Sequence, residues 1–234
     1  MQSIENVGIP ADWDALWRTV SESLLGGLHH ALNNRVAALS AIAQVLGSGM
    51  PDSSPLVASL ASEVDRLENT VALLSFLRRS RSRAPEPVQV PELVIGLTPL
   101  LAQHNDLKEI VFVGDPDPGV LPVWAERDLL TQIMLALMAS VGLDAERTGR
   151  RRVRVRYRGD QSEVTIFVAS EPEPSRSAEV DTTIARLDAR AAASAVAGMK
   201  GTLRALKGAG DETAYEVRLP TLLAARRSEN ASGL

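Results

Sequence analysis

Apolar residues recur in steps of three, four and seven from Trp13 through Trp17, Val20, Leu24, Leu28, Leu32 and Leu39 to Leu46, the period of one helix face. The pattern predicts a long helix that opens near Asp12 or Asp14, either of which can cap it, and runs to about Leu46. Gly47-Ser48-Gly49-Met50-Pro51-Asp52 ends it, because glycine and proline both oppose continuation. A second stripe, carried by Leu56, Leu60, Val64, Leu67, Val71, Leu74 and Leu77, predicts a helix from about Ser54 to Arg79. Two antiparallel helices cannot by themselves enclose both seams. The expected solution is a homodimer with a four-helix core; the alternative is that the rest of the same chain covers the stripes.

Arg78 to Pro87 is charged and proline-punctuated, as expected of a linker. Its arginines read either as a solvated helix end that complements the macrodipole or as a contact for an acidic partner, with Arg78 and Arg79 nearest the hairpin. Beyond it the period changes repeatedly. Short strands are expected at Val88–Val90 and Ile110–Val113, and helices at Pro91–Gln103, Glu126–Asp144 and Thr182–Met199. Val153–Tyr157 and Val164–Val168 predict a hairpin turned by Gly159-Asp160, and Gly201–Lys207 with Ala214–Leu219 a final one. The fold class is α+β: a helical hairpin over residues 1–84, an α/β sandwich with helices on one face of its sheet over 85–224, and a disordered tail over 225–234.

Composition narrows the partners. The 234 residues carry a formal charge of -4, which argues against nucleic-acid binding by bulk charge, so any electrostatic contact is expected to be local. With no cysteine there is no disulfide framework, thiolate metal site or cysteine nucleophile, which fits a reducing cytoplasm. No basic-then-apolar leader opens the chain and no run reaches the ~20 apolar residues of a membrane span, so a soluble, unprocessed protein is expected.

The chemistry is concentrated in His29-His30-Ala31-Leu32-Asn33-Asn34 on the first helix. At about 100° per residue, His30 lies about 200° from both Leu28 and Leu32 and faces away from the seam. His29 falls between Leu25 and Leu32 and is expected against the bundle interior. Asn34 follows His30 by one turn, and Ala37 and Ala41 continue the face with side chains too small to obstruct an approaching protein. An exposed imidazole is partly unprotonated at neutral pH, and its bare nitrogen can attack a phosphoryl group held by a partner. Elsewhere, Glu171 and Glu173 read as solvated loop carboxylates, and His104 as a positive complement to a helix C-terminus. The three histidines lack the spacing of a zinc site.

His30 to Leu39 resembles the phosphoacceptor box of sensor histidine kinases, in which a His, an acidic residue, a two-residue spacer, Asn or Thr, Pro and an apolar residue follow in order. His30, Asn34 and Val36 match; Ala31 stands at the acidic position and Arg35 at the proline. The resemblance extends to the histidine-kinase or GHKL-like sandwich that follows the hairpin in that family. Leu129 to Ser140 resembles the helix bearing the family's two asparagines, with Ala136 and Ser140 in their places. Ala169-Ser170-Glu171-Pro172-Glu173-Pro174 stands where the family reads adenine, and Thr183–Asp188 lacks the glycines of its phosphate lid. Gly201-Thr202-Leu203 and Tyr215–Pro220 keep the closing strands.

That combination resembles the bacterial histidine phosphotransferases built on a degenerate kinase fold. The resemblance implies a phosphoryl relay between response-regulator receiver domains through His30, supported by Asn34. Ala37, Ala41, Arg78 and Arg79 would contact the receiver, and no cofactor would be bound by this chain because the receiver supplies Mg²⁺. Two other readings stay open: a non-catalytic protein that sequesters receivers or kinases, favoured by Ala31 and Arg35, and a divergent ATP-dependent kinase.

Overall fold

The computed structural model describes residues 11–48, 54–77, 84–115, 119–171, 189–207 and 213–232. Helix α1 (Ala11–Gly47) runs without interruption for 37 residues, about 55 Å, with Asp12 and Asp14 inside its first turn, where carboxylates complement the macrodipole. Helix α2 (Ser54–Leu73) returns along it and ends in a 3-10 turn, Leu74–Leu77. The remaining elements are β1 (Glu86–Val88), α3 (Val90–Leu101), β2 (Val111–Gly114), β3 (Val123–Ala125) and α4 (Arg127–Arg147). They continue with β4 (Arg152–Gly159), β5 (Glu163–Ser170), α5 (Ala189–Gly198), β6 (Thr202–Lys207), β7 (Thr213–Pro220) and α6 (Leu222–Ser232).

The main sheet has the order β2-β4-β5-β7-β6, with β2 parallel to β4 and every other pair antiparallel. Alternation along the strands decides its faces. Val153, Val155 and Tyr157 of β4, and Val164, Ile166 and Val168 of β5, are buried beneath α4. The intervening residues of β4 are arginines, three of which pair with carboxylates just beyond the neighbouring strands: Arg152 and Arg154 with Glu171, the latter at 2.6 Å, and Arg154 and Arg156 with Asp115 at 3.7 Å. Strands β1 and β3 form a separate antiparallel pair, tied to the end of β7 by a bridge between Val123 and Thr221. Gly142 of α4 leaves room for Phe112 and Leu107, each of which would stand 2.9 Å from a Cβ there.

The long seam of α1 is covered in two ways. Trp13, Trp17, Leu24 and Leu28 are buried in one hydrophobic core with α3, α4 and α5, and the Trp13 indole N–H donates to Gln132 of α4 at 3.1 Å. This half of the seam follows the intramolecular alternative. Past Leu28 the helix packs, among the described residues, chiefly on α2 and its terminal turn, and Leu32, Leu39 and Leu46 are half-buried. On the outer side of the hairpin Leu25 and Val36 of α1, and Val57, Val64 and Val71 of α2, stay exposed.

Elsewhere the structure shifts several expected boundaries. Strand β1 begins two residues early and Val90 already belongs to α3, because Pro91 sits in the helix's first turn, where a fixed φ and a missing N–H are tolerated. The short strand β3 has no periodic signature of its own and was not expected. Residues 225–232 are helical rather than disordered: Thr221 Oγ accepts from the Ala224 N–H, Leu222 N–H donates to Pro122, and Ala225 is buried. The arginines Arg78 and Arg79, the loops at 49–53 and 208–212, and the segment 172–188 lie outside the described residues. Among the described residues one helix, α4, is long and apolar enough to cross a membrane, and most of it is buried in the core.

Candidate functional site

His30, Asn34, Ala37 and Ala41 are all exposed along one face of α1. The Asn34 side-chain nitrogen stands 3.2 Å from His30 Nε2. With the amide donating, the ring proton sits on Nδ1 and the Nε2 lone pair is held by Asn34, which must swing away before that nitrogen can meet an electrophile. The i,i+4 spacing that places the two residues one turn apart is what brings them together.

His29 is also exposed and makes the same kind of pair with Asn33, at 3.3 Å. Leu25, one turn before it, is uncovered in the single chain, so burial of this imidazole in a bundle would have to come from a second copy. Arg35, at the position where the resembled motif has proline, keeps the helix straight and crosses to Glu63 of α2 at 3.2 Å. Arg66 closes on the other Glu63 oxygen at 2.7 Å.

One turn before His30 the α/β half meets the same face. Gly27 is buried because the backbone of the connection between α3 and β2 lies against it. A Cβ there would overlap the Gln103 carbonyl oxygen and stand 3.0 Å from the His104 Cα, so only glycine fits without displacement. His104 is not the charge complement expected of a helix end. It is buried, its Nδ1 accepts from the Asp106 N–H at 3.2 Å, and its Nε2 lies 2.6 Å from Ser23 Oγ. Burial holds its pKa below the ordinary value, with Asp106 opposing more weakly.

Serine, histidine and aspartate in this order invite comparison with a nucleophilic triad, and the hydrogen bonds exclude it. Because Nδ1 accepts a backbone N–H, the ring proton is on Nε2, which donates to Ser23 and cannot take its proton. Sequence reasoning missed this contact because Ser23 and His104 are 81 residues apart, although Gly26-Gly27 inside a helical pattern was a signal of close backbone approach.

The other positions singled out in the sequence are engaged structurally. Ala136 is fully buried, and Ser140 Oγ lies 3.3 Å from the hydroxyl of Tyr215, which β7 projects into the core against α4. Glu171 is not a free loop carboxylate but the partner of Arg152 and Arg154; Glu173 lies outside the described residues. Among the described residues no three His, Asp or Glu side chains converge as metal ligands.

No protein family and no curated protein matches the chain. Solved structures resemble it: the Acinetobacter baumannii histidine kinase AdeS is 18% identical over 82% of this chain and 98% of that one, with a TM-score of 0.43. The ATP binding domain of PrrB from Mycobacterium tuberculosis is 15% identical over 59% of this chain and 98% of that one, at 0.44. Histidine kinase ThkA, solved in complex with response regulator protein TrrA, is 16% identical over 83% of this chain and 60% of that one, at 0.46. The functional reading therefore rests on the residues of this chain.

Proposed function

We propose that the chain is a histidine phosphotransferase that relays a phosphoryl group between response-regulator receiver domains. The observation that carries the reading is the exposed His30 with Asn34 at its Nε2 and an unobstructed face of Ala37 and Ala41 beyond. The His-x-x-x-Asn spacing and its resemblance to a phosphoacceptor box point the same way. In the transfer, the Asn34 amide releases Nε2, which attacks the phosphorus of an aspartyl phosphate; the N–P bond forms as the acyl P–O bond breaks, and the carboxylate leaves with the electron pair. The imidazolium sheds its Nδ1 proton to solvent, and the reverse sequence charges the second receiver.

An acyl phosphate is reactive enough to need little activation of the nucleophile, so Ala31 in place of an acidic neighbour is tolerable in this role. Mg²⁺ belongs to the receiver, and the reading includes no ATP-dependent kinase activity, no nucleic acid and no membrane contact, in a cytoplasmic setting. The exposed valines at seven-residue spacing on α2, with Leu25 and Val36 on α1, support a homodimer closed through the hairpins. Incubation with phosphorylated receivers followed by mapping of acid-labile phosphate tests the role. Label at His30 that disappears in His30→Ala is expected, and an unchanged relay in that variant would reject it.

A second reading is a binding protein that holds receivers without phosphoryl exchange. Arg35 favours it, because the clasp to Glu63 stiffens the hairpin beside His30. It predicts that His30→Ala leaves the regulatory effect in cells undiminished.

A further inference from the structure

Ser23, Gly27, His30, Asn34, Ala37 and Ala41 follow one another by four, three, four, three and four residues, which confines them to about an 80° sector of α1. Gly27 is buried under the connection between α3 and β2, Ser23 is exposed but bonded to it through His104, and the other four are exposed. The occupied part ends at Gly27, about 4.5 Å along the axis from His30. The contact there is backbone against backbone, with no flexible side chain to give way. Gln103, Asn105, Asp106 and Lys108 present polar groups on that connection, three of them exposed. His104 is committed twice: Nδ1 shapes the turn through Asp106, and Nε2 fastens it to Ser23.

We propose that His104 is a positioning residue for His30: its bond to Ser23, over the Gly27 seat, fixes residues 102–109 as a wall beside the phosphoacceptor, so that a receiver enters along Asn34, Ala37 and Ala41. The inference rests on the reading of His30 as phosphoacceptor. The wall blocks travel past His30 toward the helix N-terminus and sets the azimuth from which an aspartyl phosphate meets Nε2. Productive in-line transfer depends on that angle.

Side-chain isosteres separate the two duties of the ring. In His104→Asn the amide oxygen replaces Nδ1 and keeps the Asp106 bond but cannot reach Ser23; His104→Gln reaches Ser23 and gives up the turn. Ser23→Ala removes only the latch, and Gly27→Ala forces the wall away. In the full chain, His30 is labelled with phosphoramidate, a small donor that needs no docking, and separately by a panel of purified receiver domains charged with acetyl phosphate.

The expected result is a receiver-driven rate at least tenfold lower in His104→Asn, Ser23→Ala and Gly27→Ala, with phosphoramidate labelling within twofold of wild type and His104→Gln closer to wild type. Unchanged receiver-driven rates, with wild-type His30 labelled by both donors, would overturn the positioning role and leave the phosphotransferase reading standing. Equal loss of both labels would also overturn it, since His104 would then serve only the folding of α1. Wild-type protein that takes label from neither donor would overturn both.

Discussion

The Glu63 carboxylate is shared between two helices, accepting from Arg35 of α1 at 3.2 Å and from Arg66 of its own helix at 2.7 Å. The Arg35 Nε is buried without an acceptor, so its guanidinium depends on Glu63 for what pairing it has. Glu63→Ala is expected to cost about 1–3 kcal/mol, because it strands a half-buried cation. Arg35→Ala should cost about 0.5–1 kcal/mol, since Glu63 keeps Arg66. Urea unfolding at constant slope measures both, and a larger loss in Arg35→Ala would contradict the shared-carboxylate account.

His104 gives the fold an acid limit. Burial lowers its pKa from 6.5, so as the pH falls the unfolded chain takes up this proton before the folded one does. Its contribution is present above 6.5 and is lost as the pH drops through the lowered folded value. Protonation also places a second N–H opposite the Asp106 N–H, whose bond to Nδ1 must then break. Thermal denaturation from pH 7.5 to 5 should show a steeper fall for wild type than for His104→Asn, and parallel curves would refute the assignment.

Trp13 anchors α1 to α4 through burial of the ring and one bond to Gln132. Trp13→Ala should lower stability by about 3–5 kcal/mol. Gln132→Leu leaves the indole N–H buried and unpaired, for about 1–3 kcal/mol, and should quench the cooperative change in tryptophan fluorescence less than Trp13→Ala does. Denaturant titration followed by fluorescence and circular dichroism checks both.

Val57, Val64 and Val71 should be covered in solution if the hairpins pair. A carboxylate at the middle of the three would be forced into an apolar interface, so Val64→Asp is expected to convert a dimer into a monomer with little change in helix content. Light scattering across a concentration series reads the mass directly. A wild-type monomer at every concentration would dismiss the paired hairpin.

How much of this was legible in the sequence depends on the range of the cause. The helices announced themselves because Trp13 to Leu46 and Leu56 to Leu74 repeat an apolar period, and the strands because Val153 to Tyr157 alternate. His30 was placed correctly by its angle alone. The surroundings of His29 are set instead by whether a second copy covers Leu25, which no spacing within one chain encodes. Helix α6 was hidden because its local Thr221 cap is reinforced by tertiary contacts, from Thr221 to Gln161 and from Leu222 to Pro122, that no local pattern encodes. The role of His104 was unreadable for the same reason: its partner is supplied by another element, and no local spacing encodes it.

The continuity of α1 makes the hairpin a lever. From Leu28, the last residue gripped by the core, to Gly47 the rod projects about 28 Å, and no glycine or proline interrupts the described helix between them. A tilt of about 10° at the grip would swing the far end by about 5 Å while moving His30, next to the fulcrum, by less than about 1 Å. Whatever engages the tip of the hairpin can therefore exert torque on the α/β half while hardly displacing the imidazole, which turns with the rod through the same angle.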